Sequence, residues 1–344
     1  MSRRCRIIIA SLLVGSVVCI DVSAKEGTIR AGIVGCDTSH VIVFTDLLNS
    51  KISSGSAANV KVTVAYPGGS ADIPASKDRV PEYVDQLRKK GVTIVDSPDE
   101  IIEQCDAVLL ESVDGRVHLD QFRKVAKGKP VFIDKPAAAS LVDWISILRL
   151  ADETHTPVYS TSALRFCEGV QALAHDKAIG DLRVCETVGP LTIESHHPDL
   201  FWYGIHGVES LFTIMGRGCE TVSRTDTDLS ALAVGTWHDG RVGSYRGMKK
   251  DNAGYGFLAI GSNRIAFKAG FSGYEPAAEQ ICEFFRSGKA PVSREETIEV
   301  LAFMEAADES KRLGGKPIAI REIIERAEQA ATARAWSRTP AGKR

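Results

Sequence analysis

Apolar residues in the first half of the chain fall in short runs separated by longer amphipathic stretches. Thr28 to Gly35, Val60 to Tyr66, Val92 to Val95, Ala107 to Leu110, Val131 to Ile133 and Val158 to Ser160 have strand length. Between them, His40 to Leu48, Val80 to Lys90, Asp99 to Gln104, His118 to Ala126 and Leu141 to Thr154 carry apolar residues at helical spacing. Strands that alternate with helices predict parallel pairing with right-handed crossovers, which is a doubly wound sheet. After about residue 162 the pattern changes. Leu182 to Ile193, Ala231 to Thr236, Val242 to Arg246 and Tyr255 to Ala269 are β-rich and glycine-rich, with Asp239-Gly240 as a hairpin turn. Trp237, His238 and Arg241 beside that turn are expected to face solvent. The fold class is therefore α/β: an N-terminal Rossmann-like sheet plus a C-terminal α+β half with a mainly antiparallel open sheet. The open face of that second sheet would be available for substrate or for a partner subunit, and a homo-oligomer is expected.

Both ends of the chain depart from this pattern. Arg3, Arg4 and Arg6 precede the uncharged run Ile7 to Ile20, and Val22-Ser23-Ala24 follows. A basic start, a short apolar centre and small residues at a cut are the parts of a secretory signal, and the run is too short to span a bilayer comfortably. Residues 1–24 are read as a cleaved signal, possessing a weak twin-arginine character. The mature protein would then be exported, periplasmic or extracellular, without a stable membrane anchor. The expected division is 25–160 for the nucleotide-binding half and 161–330 for the substrate and oligomerisation half. The amphipathic helix 294–313 could pack back onto the first half, and 331–344 is expected to be a disordered tail. A net charge of −2 gives no footprint for nucleic acid. Six cysteines lie beyond the signal, none in a C-x-x-C pair, which argues for small buried residues rather than zinc ligands.

Candidate chemistry gathers at the strand ends. Gly35-Cys36-Asp37-Thr38-Ser39-His40 sits where a dinucleotide fold places G-x-G-x-x-G, yet only Gly35 matches. Asp37 replaces the second glycine and His40 the third. A nucleotide turn and a plain helix cap made by Asp37, Thr38 and Ser39 both remain open. Tyr66, at the end of the second strand, could stack on an adenine. Phe132-Ile133-Asp134-Lys135-Pro136 is a strand ending in an acid, a lysine and a proline, and Gly204-Ile205-His206-Gly207-Val208-Glu209 puts a histidine at the start of an apolar helix. A histidine to take a hydroxyl proton and an ammonium beside the developing alkoxide are the groups that hydride transfer from a secondary alcohol requires. His196-His197-Pro198-Asp199 invites a metal reading, but a polar loop is preferred and no metal site is expected. Phe201, Trp202 and Tyr203 suit either a sugar ring or hydrophobic packing.

Several of these strings, in this order and spacing, resemble the glucose–fructose oxidoreductase/inositol dehydrogenase (Gfo/Idh/MocA) family over about residues 28 to 325. Glu111-Ser112-Val113-Asp114-Gly115-Arg116-Val117-His118 resembles the loop after the fourth strand. Asp134-Lys135-Pro136 resembles E-K-P, Arg165-Phe166 resembles the entry to the second domain, and Gly204-Ile205-His206 with Glu209 resembles G-I-H-x-x-D. The resemblance implies an NAD- or NADP-dependent oxidoreductase acting on a carbohydrate-like alcohol. Lys135 and His206 would be catalytic, with Lys135, Arg165, Trp202 and His206 at the substrate. Gly35, Asp37, Thr38, Ser39, His40, Tyr66, Glu111, Ser112, His118 and Lys135 would be at the cofactor, and Pro136 would hold a strained or cis bond. Trp202 stands where sugar dehydrogenases of the family often have an aspartate. A non-redox reaction that borrows a hydride, or a binding protein with a retired site, are the competing readings.

Overall fold

A computed structural model describes residues 27–50, 59–251 and 254–337. The signal reading (1–24) and the last seven residues lie outside them. β1 (Ile29–Val34), β2 (Val60–Tyr66), β3 (Thr93–Ile94), β4 (Ala107–Leu110), β5 (Val131–Asp134) and β6 (Val158–Thr161) form one parallel sheet in the order β3-β2-β1-β4-β5-β6. β4, β5 and β6 are buried at every position. Such strands need helices on both faces, which explains their unbroken apolar runs. The intervening helices are α1 (His40–Asn49), α2 (Pro74–Lys77), α3 (Val80–Lys89), α4 (Pro98–Gln104), α5 (His118–Val125) and α6 (Leu141–Glu153). The strand order reverses between β1 and β4, and a ligand crevice is expected beyond their carboxyl ends.

The second half contains α7 (Glu168–Ala174), β7 (Leu182–Pro190), α8 (Ile205–Met215), β8 (Cys219–Asp226), β9 (Ser230–Trp237), β10 (Val242–Met248), β11 (Gly256–Gly261) and β12 (Ile265–Ala269). It ends with α9 (Glu275–Ser287), α10 (Arg294–Arg312), β13 (Ile318–Ala319) and α11 (Ile320–Ser337). Its sheet runs β12-β11-β7-β10-β9-β8-β13, antiparallel except between β7 and β10. α8 and α10 cover the inner face, where Phe257, Tyr245, Ala233 and Trp237 are buried. Gly207 sets how closely α8 lies: a Cβ there would come within 2.2 Å of the Tyr245 ring, and Thr187 Oγ1 donates to the Gly207 carbonyl at 2.9 Å. His206 is thereby fixed on the sheet rather than on a loop. By register the outer face carries Leu232, Val234, Leu258, Ile260, Ile265 and Phe267. Ile265 and Phe267 are 67% and 65% exposed.

The halves interlock. α9 lies against α1, and its Ile281, Cys282, Phe284 and Phe285 share a core with Val41, Phe44, Phe132 and Tyr159. α10 packs mainly on β8 and also meets α6, where Glu305 Oε1 accepts from the Leu141 amide at 2.7 Å.

Two expectations need correction, and one strand was not foreseen. Residues 331–337 continue α11: Ala331 is buried, Arg149 Nη2 donates to Thr332 Oγ1 at 2.9 Å, and Arg334 pairs with Asp143. These polar residues are held by α6, a partner distant in sequence. Trp237 does not face solvent. It is 1% exposed and its Nε1 donates to the Gly216 carbonyl at 2.9 Å, in space left by Gly235 and Gly243. β8 has a polar sequence, so it lacks an alternation signal. Its inward Arg224 is buried because Asp199, Asp226 and Asp308 surround it. The six cysteines beyond the signal region are free and buried. Among the described residues no helix is long and apolar enough to cross a membrane.

Candidate active site

A cavity of about 510 Å³ opens over the carboxyl ends of β1, β4 and β5 and is closed by the second half. Thr38, Ser39 and His40 line it from the start of α1, Lys135 from the end of β5, and Trp202, Tyr203 and His206 from the start of α8. Lys135 and His206 thus meet over one cleft between the two sheets. Lys135 is 7% exposed, and its Nζ lies 5.8 Å from the centroid of the Tyr203 ring. No carboxylate pairs with this ammonium among the described residues. A buried ammonium held only by a cation–π contact is available to an incoming oxygen. The Lys135-Pro136 peptide bond is cis.

The imidazole of His206 is held from behind. Its Nδ1 is 2.6 Å from Ser162 Oγ, which also accepts from the Leu164 amide at 3.1 Å. Ser162 is positioned in turn by Glu209, whose Oε2 accepts from the Ser162 amide (2.9 Å), Thr161 Oγ1 (2.8 Å) and Arg165 Nε (3.2 Å). Burial, and then the positive charge of Lys135, pull the His206 pKa well below the usual histidine range. His206 is therefore a neutral acceptor at neutral pH.

Arg165, expected at the substrate, does not line the cavity. It is 6% exposed and is held by Glu209 and Glu296, and Glu209 in turn holds the Ser162 that meets His206. Several residues expected at the cofactor also lie outside the cavity wall. Gly35 (φ 92°) packs against Ser112, and a Cβ there would come within 2.2 Å of Ser112 Oγ. His118 is fully buried, with its ring nitrogens facing the carbonyl oxygens of Ser112 (2.6 Å) and Ala137 (3.2 Å). It joins the loops after β4 and β5. Tyr66 packs at the edge of the core, and Glu111 is buried below the cavity floor.

Asp37 settles the question of the turn. Its carboxylate is buried and faces away from the cavity, accepting from the Val113 amide at 2.9 Å and from Ser76 Oγ at 2.6 Å. It therefore does not cap α1. Ser39 is the N-cap and makes no side-chain cap bond, while the His40 amide donates to Thr38 Oγ1 at 3.4 Å. The start of α1 thus presents its positive end to the cavity, and the Asp37 carboxylate is engaged elsewhere. This arrangement and the unpaired Lys135 fit the phosphate and nicotinamide portions of a dinucleotide. Exposed Arg79, at the start of α3, lines the same cavity with Tyr83. It is a cation that the sequence reading missed, because it lies well beyond the end of β2.

Trp202 lines the cavity and packs with Ile73 and Val113. His197 is not part of an open polar loop. It is buried beside Trp202, ring centroids 4.9 Å apart, with Nε2 3.1 Å from Asp114 Oδ1. Asp114, also fully buried, accepts from Ser70 Oγ at 2.5 Å and pairs with Arg116, which reaches on to Asp72. One carboxylate thus joins the segment after β2, the loop after β4 and the loop before α8, forming the back wall of the site. Tyr203, Tyr255 and Tyr274 complete the aromatic lining. The last two come from loops with no local motif.

No protein-family model and no curated protein matches the chain. Solved structures do match in fold. An oxidoreductase of Thermotoga maritima superposes with TM-score 0.68 at 18% identity, covering 86% of this chain and 99% of that one. The apo scyllo-inositol dehydrogenase of Lactobacillus casei gives 0.70 at 14% identity, covering 86% and 99%. The myo-inositol dehydrogenase of the same organism, in complex with NAD(H) and myo-inositol, gives 0.66 at 14%, covering 85% and 96%. These likenesses are of fold: a parallel sheet followed by a mainly antiparallel one, as in these solved dehydrogenases.

Proposed function

We propose that the protein is an exported NAD- or NADP-dependent oxidoreductase acting on a carbohydrate-like secondary alcohol. One observation carries this reading. The unpaired ammonium of Lys135 and the neutral imidazole of His206 face a single cavity, beside the uncapped start of α1. Phosphates would lie against Thr38 and Ser39, and Lys135 would reach both the nicotinamide end and the substrate oxygen. Bound nicotinamide would supply the hydride acceptor, which no side chain can provide. His206 takes the hydroxyl proton, and Lys135 stabilises the oxygen as negative charge develops. Ser162 keeps the imidazole aimed, with Glu209 and Arg165 behind it. Trp202, Tyr203 and Tyr255 offer flat faces to a polyol ring. The outer face of the second sheet, with Ile265 and Phe267 exposed, would pair with a second copy. Sedimentation of the purified protein reports that state.

The deciding experiment uses mature protein, whose N-terminal sequence also tests cleavage after Ala24. On denaturation it should release nicotinamide dinucleotide, read by absorbance and mass spectrometry. Trp202 at the place of the family's aspartate favours one rival, a sugar- or nucleotide-binding protein without turnover. That rival takes over if no cofactor is released and neither NAD nor NADP raises the melting temperature.

A further inference from the structure

We infer that His40, Glu111 and Asp134 form a buried binding site for one divalent first-row cation, of the Zn²⁺ or Mn²⁺ class, just beneath the cavity wall. The three residues come from the start of α1 and the ends of β4 and β5, three neighbouring elements at the carboxyl edge of the parallel sheet. One ligand atom from each lies within 4.8 Å of the other two. His40 Nδ1 is 2.8 Å from Asp134 Oδ2, and the imidazole is held between the edges of Phe44 and Tyr274. A nitrogen and two carboxylates within this distance need only small shifts to share a cation, and that donor set suits zinc or manganese.

Glu111 supplies the second, independent observation. It is fully buried, and neither carboxyl oxygen has a hydrogen-bond partner. Such a group is costly to bury. Burial and the nearby Asp134 push its pKa well up, so a proton could remove the charge. Protonation would still leave an O–H and a carbonyl oxygen unpaired, whereas a cation answers both the charge and the open lone pairs. The surrounding charge agrees. Asp37, Glu111 and Asp134 are three buried carboxylates, and the ammonium among them is that of Lys135. Fully ionised, they leave two net negative charges, which one divalent cation would neutralise. His40 and Lys135 both line the cavity, so the ion would add positive charge close behind its wall.

The test is on the full mature protein and does not depend on nicotinamide binding. Elemental analysis after desalting should find about one equivalent of divalent metal per chain. Chelation with EDTA should lower the melting temperature by several degrees, and Zn²⁺ or Mn²⁺ alone should restore it. Glu111→Gln should remove both the metal and the EDTA sensitivity. It should fold, because the Glu111 oxygens make no hydrogen bond that the substitution would break. The inference is overturned if wild type carries no stoichiometric metal and neither chelation nor added ion shifts its melting. It is also overturned if Glu111→Gln retains the metal. If the variant fails to fold, the wild-type measurements and Asp134→Asn decide in the same way.

Discussion

Lys135→Met should reduce turnover by about 10²–10³-fold while cofactor release on denaturation stays close to wild type. The substitution keeps the length and apolar stem of the side chain and removes the charge that faces the cavity. The Lys135 side chain makes no hydrogen bond with a described residue, but its charge offsets buried Glu111 and Asp134, so the melting temperature is read beside the activity. A companion signal separates a catalytic from a structural role. Lys135 is one of the causes that hold the His206 pKa down. Removing it should raise that pKa, read by NMR titration of the imidazole. The sign for stability follows. A histidine whose folded pKa lies below about 6.5 opposes folding as pH falls through that value, because the unfolded chain binds the proton first. The variant should lose less stability than wild type between neutral and mildly acid pH. Unchanged activity with an inositol or sugar substrate would show that another residue carries the chemistry.

Asp114→Ala should lower stability by about 3–5 kcal/mol, the scale for removing one partner from a buried charge network. Asp114 is fully buried among Ser70, Arg116 and His197, which come from three different loops. Urea melts should show the loss. Hydrogen exchange should quicken in residues 67–79 and 194–203 before it does in the parallel sheet, since those loops lose their common anchor. The hydrogen bonds from His197, Arg116 and Ser70 outweigh burial and hold the Asp114 carboxyl well below the usual carboxylate range. Its contribution is therefore complete above about pH 4 and fades as pH falls below it. The difference between wild type and variant should shrink in acid. Equal stability at pH 7 would mean that the three loops are held by apolar packing alone.

Some of the site was legible as text. Lys135 follows an apolar strand and precedes a proline, and His206 opens an apolar helix, so both could be placed at the ends of regular elements. Asp37 was visible as a departure from a glycine pattern, but its direction was not. That depended on Ser76, thirty-nine residues away, and on the Val113 amide. Arg165 was expected at the substrate only by resemblance, and its partners Glu209 and Glu296 are remote in sequence. Arg79, Tyr255 and Tyr274 carried no local signal at all. Each reaches the cavity only because a loop crosses it.

The sequence by itself determined the alternating strands and helices of the first half, the β-rich second half, and the segments that deliver Lys135 and His206. Hydrophobic period and turn chemistry are local properties, and they act wherever the chain goes. Only the tertiary structure decided which polar groups point into the cavity and which are consumed in holding it. A side chain's availability depends on whether a distant partner has already neutralised it. Asp37, Asp114 and Arg165 found such partners, whereas Lys135 did not.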